Sequence, residues 1–318
     1  MGHAMVFCPP QSWVWDFWIA DDGAAYHLYF LNAPRSLGHP DARHRNARIG
    51  HAISSDLRTW TDLGVVLEHG DKETFDATAV WTGCVVRDDA GLWRMFYTGS
   101  RFLSDKGPAN VETVGLAVSA DLDVWQKRPG SLLSADCRWY ETLGSSEWPE
   151  EAWRDPWVFR GADGGWHMLM TARARDGDPL DRGVVGHATS RDLDHWVAAP
   201  PLSLPGSGFA HVEVMQIVDI AGRQHMIFSC DSSKLAGHRA GGTGGIWTLP
   251  LESLDHLCLS EARLLLPESH YSGRVAFDRR KRPVLLACMQ DDGDILGLSD
   301  PMPLTTDADG YLIVESDQ

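Results

Sequence analysis

The sequence predicts an all-β chain folded as a single five-bladed β-propeller, and three observations lead there. A motif, Gly-x-Ala-x-Ser-x-Asp-Leu-x-x-Trp, occurs three times. Five hairpins with alternating apolar strands are spread along the chain. The spacing of the repeats matches one fifth of the 318 residues.

The motif copies are Ile49–Trp60, Val114–Trp125 and Val185–Trp196, and their glycines Gly50, Gly115 and Gly186 are 65 and 71 residues apart. Each copy reads as a strand, a tight turn and a second strand. The Ser and Asp side chains suit the turn because they bond nearby backbone amides, and the Trp packs back over the pair. Upstream of each copy lies a hairpin with Asp or Gly between apolar runs, in Phe17–Phe30, Val85–Tyr97 and Val158–Met170. Such turns are the strongest short-range hairpin signal. Two further hairpins fall in Gln216–Phe228 and Arg274–Ala287. Five four-stranded units of about 64 residues each suggest propeller blades rather than a solenoid. One domain over 6–318 is expected, with no C-terminal β-sandwich after it.

Composition narrows the function. Hydrophobic residues make up 43% and charged residues 23%, enough apolar surface for a sizeable core. No run approaches the ~20 apolar residues of a membrane span, and no secretory signal is visible at the start, so a cytoplasmic protein is expected. The formal charge of −16 disfavours nucleic acid and anionic membrane as partners. Six cysteines without a CxxC pair or Cys/His cluster read as reduced thiols, not a zinc site. Trp is abundant at 14 residues, and flat indoles also stack on sugar faces.

In a propeller the first strand of each blade lines the central channel, so its start can deliver one residue type per blade to a common pit. The residues just before the hairpins include Asp16 in Trp13–Trp18, Asp155 in Trp153–Trp157 and Glu213 in His211–Gln216. An ionisable group amid Trp and Val is costly if buried unpaired. One instance is explained by a structural salt bridge, whereas three at equivalent repeat positions point to a site. Asp76 lies several residues before its hairpin and reads equally as structural or substrate-binding. Convergent carboxylates in a Trp-lined pit suit glycosidic bond chemistry, which needs one protonated and one ionised carboxyl. Like charges and dry walls push such a pair's pKa values apart. Binding of a hard cation by the acids is the competing reading.

At these residues the chain resembles the five-bladed propeller glycosidases, most closely the invertase/fructanase and levansucrase families, glycoside hydrolase families 32 and 68, which are related to family 43. Ile49–Trp60 is similar to the Gly-His-Ala-x-Ser-x-Asp-Leu-x-x-Trp stretch of the first. Trp153–Pro156 carries the Arg-Asp-Pro motif of both. Val14–Trp18 is similar to the levansucrase Val-Trp-Asp-x-Trp motif, and Trp81-Thr82-Gly83 resembles a Trp/Phe-Ser-Gly motif that helps hold the fructosyl ring. The resemblance implies Asp16 as nucleophile, Glu213 as general acid and later base, and Asp155 as transition-state stabiliser. It implies substrate contacts from Trp15, Trp81, Thr82, Arg154, His211 and Tyr271, with Asp76 beside them. The chain departs from the families in Trp15-Asp16-Phe17 for Asn-Asp-Pro, Glu213-Val214-Met215 for Glu-Cys-Pro, and Thr82 for Ser.

Weaker candidates surround these. Tyr140–Trp153, rich in acids and Trp, is a cap over the pit or a solvated connection. His39–Asn46 reads as a solvated turn more readily than a rim loop, and His238-Arg239 as a rim pair. Gly241–Gly245 lacks the Lys-Ser/Thr of a phosphate loop and reads as a flexible turn. The resemblance thus implies a retaining hydrolase of small soluble β-D-fructofuranosides such as sucrose, with fructosyl transfer as an accompanying activity, without cofactor or metal. The alternatives are an inverting arabinofuranosidase or xylosidase of related fold, and a sugar-binding propeller without catalysis.

Overall fold

The computed structural model describes residues 5–291 and 294–315; residues 292–293 and 316–318 of the expected domain lie outside the described residues. Five antiparallel sheets follow one another along the chain. Blade I is Ser12–Asp21, Tyr26–Pro34, Arg48–Ser54 and Thr61–Leu67. Blade II is Ala79–Arg87, Trp93–Phe102, Asn110–Ser119 and the short Gln126–Lys127, with Glu150–Glu151 added in parallel to the third strand. Blade III is Trp153–Arg160, Trp166–Arg173, Gly183–Ser190 and Trp196–Ala199. Blade IV is Glu213–Ile220, Arg223–Cys230, Gly245–Leu251 and Arg263–Pro267. Blade V is His270–Phe277, Pro283–Asp291 and Asp294–Ser299. Each innermost strand packs against the next, and the innermost strand of blade V returns to that of blade I, so the ring is closed. The fold is a five-bladed propeller, and no C-terminal sandwich follows among the described residues.

The ring closes through the N-terminal strand Met5–Phe7, which pairs antiparallel with Asp294–Ser299 and completes blade V. Local pattern could not reveal this, because the pairing joins the two ends of the chain. Among the described residues no helix is long and apolar enough to cross a membrane.

The three motif copies are each the third strand of a blade, its turn and the start of the fourth. Ser54 Oγ accepts from the Asp56 and Leu57 amides, and Asp56 Oδ1 accepts from Arg58 and Thr59. The same bonds recur around Ser119/Asp121 and Ser190/Asp192. They hold Leu57, Leu122 and Leu193 at φ of 63°, 70° and 66°, a region disfavoured for leucine. In return each leucine is buried in the core. The motif glycine makes room for an aromatic ring: a Cβ at Gly50 would sit 2.4 Å from the Phe30 ring. Gly50→Ala therefore destabilises blade I by about 1–3 kcal/mol, read as a lower urea midpoint with unchanged m-value.

Four of the five innermost strands bulge at the same place, with two residues unpaired between Val14 and Phe17, Arg154 and Trp157, Glu213 and Gln216, and Tyr271 and Arg274; blade II has a smaller break at Thr82. Bulges re-aim side chains, and here they turn them toward the channel mouth. Asp155, Val214 and Ser272 hold positive φ of 57°, 52° and 50°, which costs free energy unless neighbours enforce it. Their amides are each caught across a blade boundary: Asp155 by Thr98 Oγ1 at 2.9 Å, Val214 by Asp155 Oδ2 at 3.2 Å, Ser272 by Ser229 Oγ at 2.9 Å. This register corrects one expectation. Glu213 aligns with Arg154 and Tyr271, one position before Asp155, so the three acids are not strictly equivalent.

Candidate active site

One cavity of about 710 Å³ opens at the bulged ends of the innermost strands, a size typical of small-molecule sites. Asp16, Asp155 and Glu213 line it together with Trp15, Trp81, Thr82, Arg154, His211 and Tyr271. Nine of the ten residues singled out from sequence thus meet in one place. Asp76 does not. Its carboxylate accepts from Thr74 at 2.7 Å and Tyr97 at 3.1 Å and pairs with Lys127 at 2.5 Å, away from the cavity. It is a buried anchor of blade II, and its substrate-binding assignment is corrected.

Asp16 sits in the blade I bulge. Thr82 Oγ1 donates to its Oδ2 at 2.5 Å, and Ser272 Oγ donates to its Oδ1. Blades II and V therefore aim the same carboxylate. Burial pushes its pKa above the usual range, with the neighbouring Glu213 adding to the rise and the two hydroxyls opposing it. Asp155 accepts from Thr171 Oγ1 at 2.7 Å. Burial and the charges of Asp16 and Glu213, partly offset by Arg154, push it up to about 6.

Glu213 behaves oppositely. Burial favours its neutral form, but Arg154 Nη2 donates at 2.6 Å and Tyr271 Oη at 2.5 Å, and the net shift is downward. Asp16 and Asp155 are thus shifted upward and Glu213 downward, directions opposite to those the implied roles of nucleophile and acid call for. The cause is local, since Asp16 has only hydroxyl partners while Glu213 has a guanidinium. Tyr271, expected among the substrate contacts, donates to Glu213.

Two buried residues behind the site, Glu112 and Arg274, carried no sequence signal. Arg154 bonds Glu112 at 3.0 Å and Glu150 at 3.4 Å as well as Glu213. His211 lies 3.2 Å from Arg154 and 3.1 Å from Glu150. Burial and Arg154 lower its pKa, so it is a neutral imidazole. Beneath the acids, Arg274 is buried and donates to the Phe17, Val214 and Met215 carbonyls, tying blades I, IV and V together. Two loops left open from sequence reach the cavity. Trp148, Pro149 and Glu150 form part of its wall, and so do Arg43 and His44 from the single-turn helix Pro40–Arg45. The Trp81 indole is fixed by a 2.8 Å bond to the His44 carbonyl. The reading of His39–Asn46 as a solvated turn is therefore corrected. Arg239 does not line the cavity but packs on the Phe209 and Trp247 rings.

Among the described residues one group has metal-ligand composition, His27, His51 and Asp123, with ligand atoms within 4.8 Å of one another. It lies outside the cavity lining. Its two histidines are stacked and bonded at 3.0 Å, and the same pair recurs at His167 and His187. That recurrence marks a hydrogen-bonded element of the blades.

Residues 7–290 match the profile of the glycosyl hydrolases family 32 N-terminal domain. The chain belongs to glycosyl hydrolase family 32. This family 32 propeller is 30% identical over 201 residues to a sucrose-6-phosphate hydrolase of Zymomonas mobilis, covering 60% of this chain and 36% of the relative. It is 28% identical over 238 residues to a raffinose invertase of Escherichia coli, covering 73% of this chain and 44% of the relative. The chain thus spans less than half the length of these curated relatives. Among solved structures, an inulosucrase from Halalkalicoccus jeotgali bound to kestose superposes with a TM-score of 0.77 at 22% identity, over 99% of this chain and 94% of that one. A levansucrase of Bacillus subtilis gives 0.69 at 15% identity, over 99% and 90%. At these identities the structures establish the shared fold.

Proposed function

We propose that this chain is a retaining glycoside hydrolase acting on small soluble β-D-fructofuranosides through a fructosyl-Asp16 intermediate. The observation that supports it most is the meeting of Asp16, Asp155 and Glu213, from blades I, III and IV, in one half-enclosed cavity. Asp16, aimed by Thr82 and Ser272, attacks the anomeric carbon. Glu213 donates a proton to the leaving oxygen and then takes one from water, or from an acceptor hydroxyl when fructosyl transfer competes. Asp155, fixed by Thr171 and the Val214 amide, offers its free oxygen to sugar hydroxyls and stabilises the positive transition state.

The pair is active with one proton, and that proton must sit on Glu213. The shifts in the free site, upward at Asp16 by burial and downward at Glu213 beside Arg154, oppose that placement. A bell-shaped kcat/KM profile still results, because the two limbs belong to the pair. Activity rises as pH climbs through the lower of the two macroscopic values and falls as the last proton leaves. Proton NMR of the first-formed sugar from a fructofuranoside tests the reading: retention is expected, and net inversion overturns it.

The cavity wall also favours an uncharged substrate. It carries Asp16, Glu150, Asp155, Glu213, Asp231 and Glu268 against Arg43, Arg154 and Lys234, and Arg154 is already shared among carboxylates. A phosphate dianion entering there meets more like charge than opposite charge. Sucrose is therefore expected to exceed sucrose 6-phosphate in kcat/KM by roughly tenfold or more, about 1.4 kcal/mol, and the reverse preference in a paired assay overturns this. Action on a small sugar in the cytoplasm completes the reading.

A further inference from the structure

Glu112 is fully buried, on the third strand of blade II, and the reaction assigned above does not use it. Three donors converge on its carboxylate: Arg154 Nη1 at 3.0 Å, the Trp153 amide at 3.2 Å and Asn110 Nδ2 at 3.0 Å. Asn110 is itself oriented by Ser100, whose hydroxyl donates to its Oδ1 at 2.9 Å. The other face of the same guanidinium, Nη2, is given to Glu213 at 2.6 Å and His211 at 3.2 Å. One buried cation is thus held between a carboxylate that lines the cavity and one that never meets solvent or substrate.

We propose that Glu112 is a positioning residue: it shares Arg154 with Glu213 and thereby limits how hard that guanidinium grips the acid. This rests on the role given to Glu213 above. The charged and titratable groups facing Glu112 are Arg154, Glu150 and Asp155. Burial raises its pKa, but three donors with no facing acceptor favour the ionised form. Its negative charge offsets part of the Arg154 charge that otherwise falls on Glu213. Removing it strengthens the hold of Arg154, lowers the proton affinity of Glu213 and shrinks the productive form with the proton on Glu213.

That mechanism has a signature that loss of packing lacks. If only Glu213 becomes more acidic, kcat/KM falls toward neutral and alkaline pH, by up to the factor of that change. At low pH the mutant and wild-type curves converge, because there the productive fraction depends on Asp16 alone. A structural lesion instead lowers activity at every pH.

The experiment measures kcat/KM for sucrose from about pH 2.5 to 9 in wild type and Glu112→Gln, with thermal unfolding in parallel. Glu112→Gln is expected to lose about tenfold at neutral pH and to converge on wild type toward the acid end of the range. Superimposable profiles, or a drop that is uniform across pH, overturn the inference. Should Glu112→Gln not fold, the exchange Asn110→Asp with Glu112→Gln returns the charge beside Arg154 and gives the new amide an acceptor. It is expected to follow the wild-type profile within about twofold, and a uniform loss in this variant overturns the inference. A wild-type protein that cleaves no fructofuranoside overturns the reaction itself, whereas active wild type with an unmoved Glu112→Gln profile overturns the present inference alone.

Discussion

Asp16→Ala is expected to abolish turnover, with kcat for sucrose falling roughly 10,000-fold or more, as for removal of a nucleophile that acts as part of a unit. The fold should survive. Asp16 is held by the Thr82 and Ser272 hydroxyls, and removing a carboxylate whose pKa burial has raised relieves a desolvation penalty. The measurement pairs steady-state rates with mass spectrometry of protein quenched during turnover. Wild type should carry one added hexosyl mass on the peptide containing Asp16, and Asp16→Ala none. A variant that retains a tenth of the wild-type rate, or an adduct mapped to another residue, would remove Asp16 from the nucleophile role. Loss of activity without loss of sugar affinity distinguishes an enzyme from a propeller that only binds.

Glu213→Gln is expected to cost roughly 100- to 10,000-fold in kcat, the range for a general acid. Its pH dependence should change shape. With the Glu213 proton no longer required, activity rises with pH as Asp16 ionises and then stays level, so the alkaline limb disappears. The loss should be small for a fructosyl donor whose leaving group needs no proton, since Asp16 still attacks unaided. Glu213→Gln also exchanges the charged 2.6 Å partner of Arg154 on that face for a neutral one, so a modest fall in Tm accompanies the kinetic change. An unchanged alkaline limb, or an equal loss on both kinds of donor, would assign the acid elsewhere; Asp155, already up at about 6, would be the next carboxyl to test.

How much of this could be read along the chain depended on where each signal lived. The three copies of the motif were legible because each turn is closed by its own Ser and Asp, within five residues of sequence. The hairpins were legible for the same reason. Asp16, Asp155 and Glu213 stood out because a charge among Trp and Val at a strand start is costly wherever the strand packs. Asp76 carried a similar local signal, and its partner Lys127, 51 positions away, gave no hint of itself. Glu112 was invisible for the converse reason. It is a single acid in a strand, and Arg154, 42 positions on, explains it only once blades II and III are side by side.

Repetition and short-range chemistry were sufficient for the all-β class, the number of blades and the identity of the acids, because they depend on hydrogen bonds between near neighbours and on the cost of burying charge. Which end of the chain closes the ring, which way each carboxyl's pKa is shifted and which loops wall the cavity were settled only by the folded ring. Those outcomes are set by distances between atoms of different blades, and electrostatic energy in a dry pit changes steeply over the few ångströms that no linear pattern records.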